Sequence, residues 1–457
     1  MTFGVVKKAG FVFILFIMSA YSIVMAQETS SLYLLSDIPQ ASFENPAIQN
    51  KTGKLVIGLP FLSGTYADWN ASVPFNSLFS EGFSYSFHRF YDSLDDKGNA
   101  WAGAGISMFF ISLHHNNNTF TLSVSERGFS AAEFDREIVR FIRDGTMDFY
   151  GVNENLGSAS FFIRHYREVA AGISKRVREW LDFGIRPKIL FAKLNFETQD
   201  LNFSVETVEE KDRLHLRPEG SFILTGPFLH KRDTVYNFSR FNANFSPGDY
   251  FFQLRNLGIA LDMGVIFRPG KLSEWSLSLI DAGMIGFRYN SFDVKFNRPV
   301  KYSRFTPYQS HSPDNSYYIE PREALRAFGD SVSYIIDVKD SEKRFFSTLP
   351  LKLNARFKYK INEKTTAGVS NQLLLYKGYP QNRFTPYIET ILLSGFRVYG
   401  SLTLLNSSAL LPGLGFSFTG KRLQYYFAGN NIPGIVQPTS AKHLNLCFGI
   451  NLLFHTQ

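Results

Sequence analysis

The sequence of 457 residues contains a single cysteine, Cys447, and only 7 Met and 4 Trp. One cysteine excludes an intramolecular disulfide framework, and its place within a strand-like segment predicts a small packing residue rather than a reactive thiol. Charged residues make up only 19% of the chain. After Ala26 the sequence also lacks an uninterrupted apolar run of about 18 residues, so we predict no membrane-spanning helix in the mature chain.

Aromatic residues are abundant instead. The chain holds 47 Phe and 22 Tyr, which with Trp make up 16% of it, and it has 34 Gly. Aromatic side chains pack well on a pleated, half-buried surface, and glycines are common in tight turns and bulges. The composition therefore favours strands over helices.

The first 26 residues have the organisation of a Sec-type signal peptide. Lys7 and Lys8 precede an apolar stretch from Phe11 to Met18, and Ala26 offers a small-residue cleavage site. The alternative is an N-terminal membrane anchor, but the apolar stretch is shorter than the ~20 residues that a spanning helix needs. We therefore predict that residues 1–26 are removed on export and that residues 27–457 form the mature protein.

The charge balance narrows the partners that an exported protein would meet. The formal net charge is +8, and removal of Lys7 and Lys8 with the signal leaves +6. We predict contact with lipopolysaccharide or another anionic outer-membrane lipid, or with an anionic or lipid-like small ligand inside a pore. No nucleic-acid partner is predicted, because an exported chain rarely meets one.

The last strand-like segment has one apolar and one polar or small face. Successive side chains of a strand point to opposite sides, so residues two apart share a face. The apolar face comprises Leu444, Leu446, Phe448, Ile450, Leu452 and Phe454. The other face holds residues such as Asn445, Cys447 and Asn451, as expected for a transmembrane strand with lipid on one side.

About fifteen segments of this kind recur along the mature chain. They are residues 101–113, 118–126, 159–177, 181–194, 198–208, 213–224, 257–267, 273–285, 351–360, 364–376, 384–393, 395–405, 411–419, 422–428 and 444–454. Short turns such as Ser394-Gly395 and Gly420-Lys421 join some of them. We predict an all-β fold, namely a transmembrane antiparallel outer-membrane β-barrel of about 14 strands (12–16), with a short helix and long loops.

Three segments interrupt the strand pattern, namely residues 129–156, 225–252 and 286–345. Residues 131–144 place apolar side chains on one helical face before Gly145, which predicts an amphipathic helix. Residues 286–345 form the longest irregular segment and include PREALRAF, a candidate short helix. Residues 27–53 are assigned either to an N-terminal plug or to a periplasmic segment. Within them, Asn45-Pro46-Ala47 marks either the start of such a plug or a simple turn, which Asn-Pro strongly favours.

Several short motifs support a family resemblance. They are SFENPA around Asn45, GLPFLSG at 58–64, NLGIALDMGVIFRP, LPLKLNARFKYKI and the closing LCFGINLLF. Together they resemble the DUF5723 family of Bacteroidetes outer-membrane barrels and, more distantly, PorP/SprF-like and FadL-like barrels. The resemblance implies a barrel in the outer membrane of a Gram-negative bacterium. It implies no substrate, cofactor or catalytic residue.

A basic face is the most suggestive constellation of side chains. Lys352, Arg356, Lys358 and Lys360 share one face of a strand, and Arg186 and Lys188 lie in RPKILFAK. Placing them toward lipid would cost about 2–4 kcal/mol each at the bilayer midplane, so we assign them to the lumen. They form either a cationic wall that attracts anions or a neutralised interior, paired with Asp262, Asp281 or Glu389. The neutralised interior is preferred.

No catalytic, cofactor or metal site is predicted. The chain has no G-x-S-x-G elbow, and the adjacent His114 and His115 would point to opposite faces of a strand. We predict a non-enzymatic barrel for passage or binding of a small solute or lipid-like ligand. The alternative is a non-transporting structural or secretion-system-associated barrel that docks a partner such as a lipoprotein. A barrel-embedded lipid hydrolase is a third, disfavoured interpretation.

Overall fold

The computed structural model describes most of residues 27–457. The described residues are 32–35, 37–49, 52–78, 87–144, 147–208, 213–226, 231–232, 235–236, 247–296, 298–302, 336–340, 344–376, 380–406 and 409–455. The predicted signal peptide and the PREALRAF segment lie outside them. In the described part of the chain, no helix is long and apolar enough to cross a membrane.

Twenty-two strands and four short α-helices are numbered here in chain order. The strands are β1 (Leu55–Gly58), β2 (Thr65–Ala71), β3 (Lys97–His115), β4 (Asn118–Asp135), β5 (Glu154–Arg178), β6 (Leu181–Val208), β7 (Arg213–Thr225), β8 (Lys231–Arg232), β9 (Val235–Tyr236), β10 (Asn256–Phe267), β11 (Ser273–Phe287), β12 (Ser291–Phe296), β13 (Val300–Tyr302), β14 (Ile336–Asp340), β15 (Phe345–Thr348), β16 (Leu351–Lys360), β17 (Thr365–Leu375), β18 (Gln381–Leu393), β19 (Phe396–Leu405), β20 (Ala409–Thr419), β21 (Leu423–Gly429) and β22 (His443–Phe454). The helices are α1 (Phe87–Asp92), α2 (Arg136–Asp144), α3 (Pro247–Phe251) and α4 (Ile432–Val436).

The wall is a closed antiparallel barrel of 14 strand positions. Its order is β1/β2, β3, β4, β5, β6, β10, β11, β16, β17, β18, β19, β20, β21 and β22. The short strands β1 and β2 together fill one position, and both pair with β3 on one side and β22 on the other. The predicted all-β barrel of about 14 strands is confirmed.

The two ends of the barrel differ. Six short connections, including those at Asn116-Asn117, Ser394-Gly395 and Gly420–Arg422, lie at one end, which we call the turn end. The start of β1 and the finish of β22 lie there too, because Leu55 pairs with Phe454. The longer connections lie at the opposite end, which we call the loop end.

The sheet continues beyond the barrel at the loop end. The second half of β6 leaves β10 and pairs with β7, and β7 pairs with β12 and β13. Strand β14 then pairs with β12. The predicted irregular segment 286–345 therefore contains three strands of this extension.

Several element boundaries differ from the sequence prediction, among them those of β6 and α2. Strand β6 is continuous, whereas two separate strands were predicted over 181–194 and 198–208. Helix α2 begins at Arg136 rather than at residue 131, because β4 continues to Asp135 and pairs there with Lys97. Ladder hydrogen bonds to two neighbouring strands outweigh the local helical pattern.

Side-chain burial in the wall is inverted relative to a soluble protein. On β10, Leu257 is 51% exposed and Ile259 is 70% exposed, whereas Asp262 is completely buried. On β22, Asn445 and Asn451 are buried, whereas Phe454 is exposed. On these two strands most large apolar side chains therefore face outward, where a bilayer would cover them, and most polar ones face the interior.

Candidate functional site

The N-terminal segment, residues 32–49, lies inside the barrel near the turn end. It forms two 3-10 turns, Leu32–Leu34 and Pro39–Phe43, and every described residue except Asp37 and Gln49 is buried. Its backbone–backbone hydrogen bonds run between its own residues, as from Asn45 N to Ala41 O (3.2 Å). Its backbone hydrogen bonding is thus largely internal, and side chains supply much of its contact with the wall.

A pair of glycines accommodates the predicted Asn45-Pro46-Ala47 turn. The turn exists, since Ala47 N donates to Asn45 Oδ1 (2.8 Å). It lies against Gly184 of β6 and Gly264 of β10, which face each other in the ladder. A Cβ atom added to Gly184 would overlap the Pro46 backbone, and one on Gly264 would overlap Asn45 Oδ1. The two glycines therefore create the recess in which the turn lies.

Polar side chains of the wall hold this segment at Glu44 and Asn45. Lys352 Nζ lies 3.4 Å from Glu44 Oε1, and Gln372 Nε2 donates to Glu44 Oε2 (3.2 Å). Ser278 Oγ donates to the Glu44 carbonyl oxygen (2.6 Å). Asn45 Nδ2 donates to Ser276 Oγ (2.7 Å). The buried carboxylate of Glu44 is thus compensated by a cation and hydrogen-bond donors.

Next to the segment, toward the loop end, lies a buried network of three cations and three carboxylates, here called the charge cluster. Its members are Arg127, Glu168, Arg186, Lys188, Asp262 and Asp281, all buried. Lys188 Nζ lies 2.5 Å from Asp281 and 2.8 Å from Asp262. Arg186 lies 2.7 Å from Glu168, and Arg127 lies 3.2 Å from it. The formal charges of the cluster sum to zero.

A β-bulge turns Asp281 into this cluster. The register between β10 and β11 shifts next to Asp262, and Asp281 adopts a positive φ of 61°. Its backbone N–H donates to Asp262 Oδ1 (2.8 Å). A left-handed backbone at a non-glycine residue is strained, and here the local hydrogen bonds hold it in place.

The remaining predicted basic residues fall into two groups. Lys352 and Arg356 are buried in the interior, where Arg356 contacts the carbonyl oxygen of Tyr33 and lies 3.5 Å from Glu274. Lys358 lies 3.9 Å from Glu274, closer to the turn end, and Lys360 is exposed at the end of β16. The six predicted residues therefore do not form one continuous cationic surface. Glu389, the third suggested acidic partner, pairs with Arg397 at 3.2 Å.

An aromatic layer fills the interior on the loop-end side of the charge cluster. It comprises Trp101, Phe129, Phe162, Tyr166, Phe287 and Tyr376. The Phe162 ring lies 4.9 Å from the rings of both Phe129 and Tyr376. The buried Arg164 lies 4.7 Å from the Phe162 ring and donates to Asn195 Oδ1 (2.8 Å). On the loop-end side of the aromatic layer, α1 and α2 cover a further apolar cluster.

Sequence reasoning missed several of these residues. Arg127 lies just beyond the predicted strand 118–126, although it shares a face with the buried Ser123 and Ser125. Glu168 lay inside the predicted strand 159–177, two residues from the inward-facing Tyr166 and Ala170. An acidic residue at an inward position was the available signal. Glu44 carried no such signal, because its partners are strands about three hundred residues away.

Comparison of the sequence with protein-family models gives one match. The model described as "Family of unknown function (DUF5723)" matches residues 46–430. The chain belongs to the DUF5723 family. No curated protein matches the sequence of this DUF5723 chain.

Solved barrels of similar architecture accompany this family assignment. The Ralstonia pickettii toluene transporter TbuX matches with a TM-score of 0.44 and 10% identity over 92% of this chain and 95% of that one. A Pseudomonas aeruginosa FadL homologue gives 0.41 and 10% over 94% and 97%. The Pseudomonas putida toluene transporter TodX gives 0.37 and 8% over 94% and 98%.

Proposed function

We propose that this DUF5723 protein is a gated outer-membrane channel for small apolar or amphipathic solutes. The turn end faces the periplasm and the loop end faces the outside, as in other barrels of this class. In the structure described above the channel is closed, and the N-terminal segment acts as its removable plug. Opening requires that this segment shift within the lumen or leave it.

One observation carries this proposal, namely the way in which the N-terminal segment is attached. Its backbone–backbone hydrogen bonds are internal, and wall side chains such as Lys352, Ser276 and Ser278 hold it. Displacing it therefore leaves the ladder hydrogen bonds of the barrel intact. A filler that was only structural would gain stability from direct pairing with the wall strands.

The lining of the interior supports the solute class. The aromatic layer offers apolar ring surfaces near the loop end, and the buried cation among them, Arg164, is paired with Glu197 at 3.5 Å. The charge cluster beneath is neutral as a whole, so it supports no general selection for anions. A small apolar or amphipathic molecule fits a lining that is aromatic near the loop end and polar but neutral beneath it.

A second candidate function is a non-transporting barrel that docks a partner. The observation that favours it is the interior itself, since its inward-facing residues are almost inaccessible to water at the segment, the cluster and the aromatic layer. The sheet extension of β6, β7, β12 and β14 would then serve as the docking platform at the loop end.

Conductance measurements on purified protein in planar bilayers test the channel. In the variant G184V/G264V the added side chains fill the recess of the Asn45-Pro46-Ala47 turn, so we expect it to open at least about tenfold more often than the wild type. The matched control is Gly400→Ala, because a Cβ at Gly400 meets nothing within 4 Å. Uptake of a fluorescent naphthylamine dye into proteoliposomes should rise in parallel.

A cross-linked variant tests the gate by holding the N-terminal segment in its closed position. Asn45→Cys with Ser276→Cys joins two side chains that are already hydrogen-bonded at 2.7 Å. Oxidation should abolish conductance and dye uptake, and a reductant should restore both. If neither the wild type nor the glycine variant conducts or takes up dye, the channel proposal is wrong and the docking barrel is favoured.

A further inference from the structure

Three exposed arginines lie next to each other at the loop end of the barrel wall. Arg255 immediately precedes β10, Arg288 immediately follows β11 and Arg344 immediately precedes β15. Continuing the antiparallel registers of these strands by a few residues places Arg255 and Arg344 on either side of Arg288. We call these three residues the arginine row.

The arginine row lies on the outer face of the wall. Arg255 is two residues from Leu257, which is 51% exposed and faces outward. A Cβ atom added to Gly286 would lie 3.0 Å from Arg344 Cδ, so the Arg344 side chain passes close to this outward position of β11. The Arg344 guanidinium carbon also lies 5.9 Å from the ring centroid of the exposed Phe346.

No carboxylate within the described ranges forms an ion pair with a member of the arginine row. The guanidinium of Arg255 lies over the ring of Tyr289, with its carbon 4.2 Å from the ring centroid. Lys193 is the next outward basic residue along the wall, and it already has hydrogen-bond partners. Its ammonium donates to the carbonyl oxygens of Tyr250 and Phe251. Among the described residues, the row is thus a local excess of positive charge at the surface.

The height of the row coincides with the upper limit of the apolar belt. Strand β10 has 12 residues and connects the row to the turn end. Such a strand is ~40 Å long and, tilted by ~40°, crosses an apolar band of ~25 Å. Below the row the outward side chains are apolar, among them Leu257, Ile259 and Phe346. The guanidinium groups therefore lie where acyl chains give way to headgroups.

We propose that the arginine row binds the phosphate groups of a phosphorylated glycolipid of the outer leaflet, whose acyl chains lie on the apolar belt beneath. Arginine binds phosphate through two parallel hydrogen bonds, and it retains its charge next to lipid. Three adjacent strands span ~10 Å, so the row can contact more than one phosphate of a single headgroup. This site is on the outside of the wall and does not depend on the channel proposal.

The test measures binding of purified lipid A, which carries two phosphates, to the full-length protein in detergent. We expect R255Q/R288Q/R344Q to bind at least about tenfold more weakly than the wild type, while R255K/R288K/R344K keeps an intermediate affinity. The matched control K364Q/K421Q/R422Q removes the same charge from exposed residues at the turn end. It should bind like the wild type.

Two further measurements distinguish binding of a lipid headgroup phosphate from binding of free phosphate. Wild-type affinity should fall when lipid A is replaced by its dephosphorylated form, and an excess of inorganic phosphate should not displace the lipid. Unheated migration on SDS gels verifies that each variant is folded. The proposal is wrong if a folded glutamine variant binds lipid A like the wild type, if dephosphorylation has no effect, or if free phosphate competes fully.

Discussion

Lys188 lies near three carboxylates at once inside the barrel. Its ammonium lies 2.5 Å from Asp281, 2.8 Å from Asp262 and 3.4 Å from Glu168. Removing one partner of a buried ion pair leaves charge without compensation and costs about 3–5 kcal/mol. We therefore expect Lys188→Met to lower the free energy of unfolding by about this amount, measured by urea titration in vesicles.

The exposed Lys360 is the matched control for Lys188→Met. It lies at the end of β16, and Lys360→Met should change the free energy of unfolding by less than about 0.5 kcal/mol. Combining Lys188→Met with Asp281→Asn should recover part of the loss, because one uncompensated carboxylate becomes neutral. Equal unfolding curves for Lys188→Met and the wild type would show that the cluster is not electrostatically coupled.

Glu44 links the N-terminal segment to the wall by charge. Glu44→Gln keeps the shape of the side chain but removes the ionic attraction to Lys352, which lies 3.4 Å away. We expect the segment to open more often, so that a cysteine placed at the buried Ala41 reacts faster with a maleimide, in a Cys447→Ala background. In a separate variant, a cysteine at the buried Ala192 of β6, which packs with the aromatic layer rather than with the segment, should react at an unchanged rate.

For individual residues, the sequence indicated which types of side chain line the interior better than it indicated which of them form ion pairs. The sequence offered Asp262, Asp281 or Glu389 as partners of the basic residues, and the structure places Asp262 and Asp281 next to Lys188. The sequence could not rank the partners, since Asp281 reaches the cluster only through a bulge and a positive φ. A bulge shifts the alternation of inward and outward side chains by one residue. No local sequence pattern indicated the bulge at Asp281.

The strands of the wall show how well the alternation of apolar and polar residues can predict the position of a strand. It located β10, β16 and β22 within a few residues, because lipid on one side and a polar interior on the other impose a period of two. It missed β1 and β2, which are short and interrupted at residues 59–64. It also placed the start of α2 too early, because the pairing of β4 with β3 is a tertiary effect.

The outer face of β10 gives a prediction for a whole strand. Met263 faces outward near the middle of β10, between buried neighbours Asp262 and Gly264. Arginine at the bilayer midplane costs about 2–4 kcal/mol, so Met263→Arg should lower the free energy of unfolding in lipid vesicles by this amount. Met263→Leu is the control and should be nearly neutral. An unchanged stability for the arginine variant would mean that this face does not contact lipid.

At the scale of the molecule, the sequence alone could not choose between a plug and a periplasmic position for the N-terminal segment. Its contacts are extremely non-local, as with Asn45 and Ser276, which are 231 residues apart in the chain. The motif around Asn45 predicted a turn, and the turn is present. Its recess depends on Gly184 and Gly264, two glycines that become neighbours only when β6 pairs with β10.

Closure of the barrel depends on β22, which pairs with β21 on one side and with β1 and β2 on the other. Phe448 lies in this seam, opposite Thr65 and Phe427. Proline there removes a ladder donor from a strand that has no free edge, so Phe448→Pro should open the seam. The closed wild-type barrel should resist SDS without heating and migrate faster than its heated form, and Phe448→Leu should do the same. Phe448→Pro should migrate alike with and without heating. A closed barrel in the outer membrane would be contradicted if the wild-type protein showed no such difference in migration, or if it were found as a soluble protein in the periplasm.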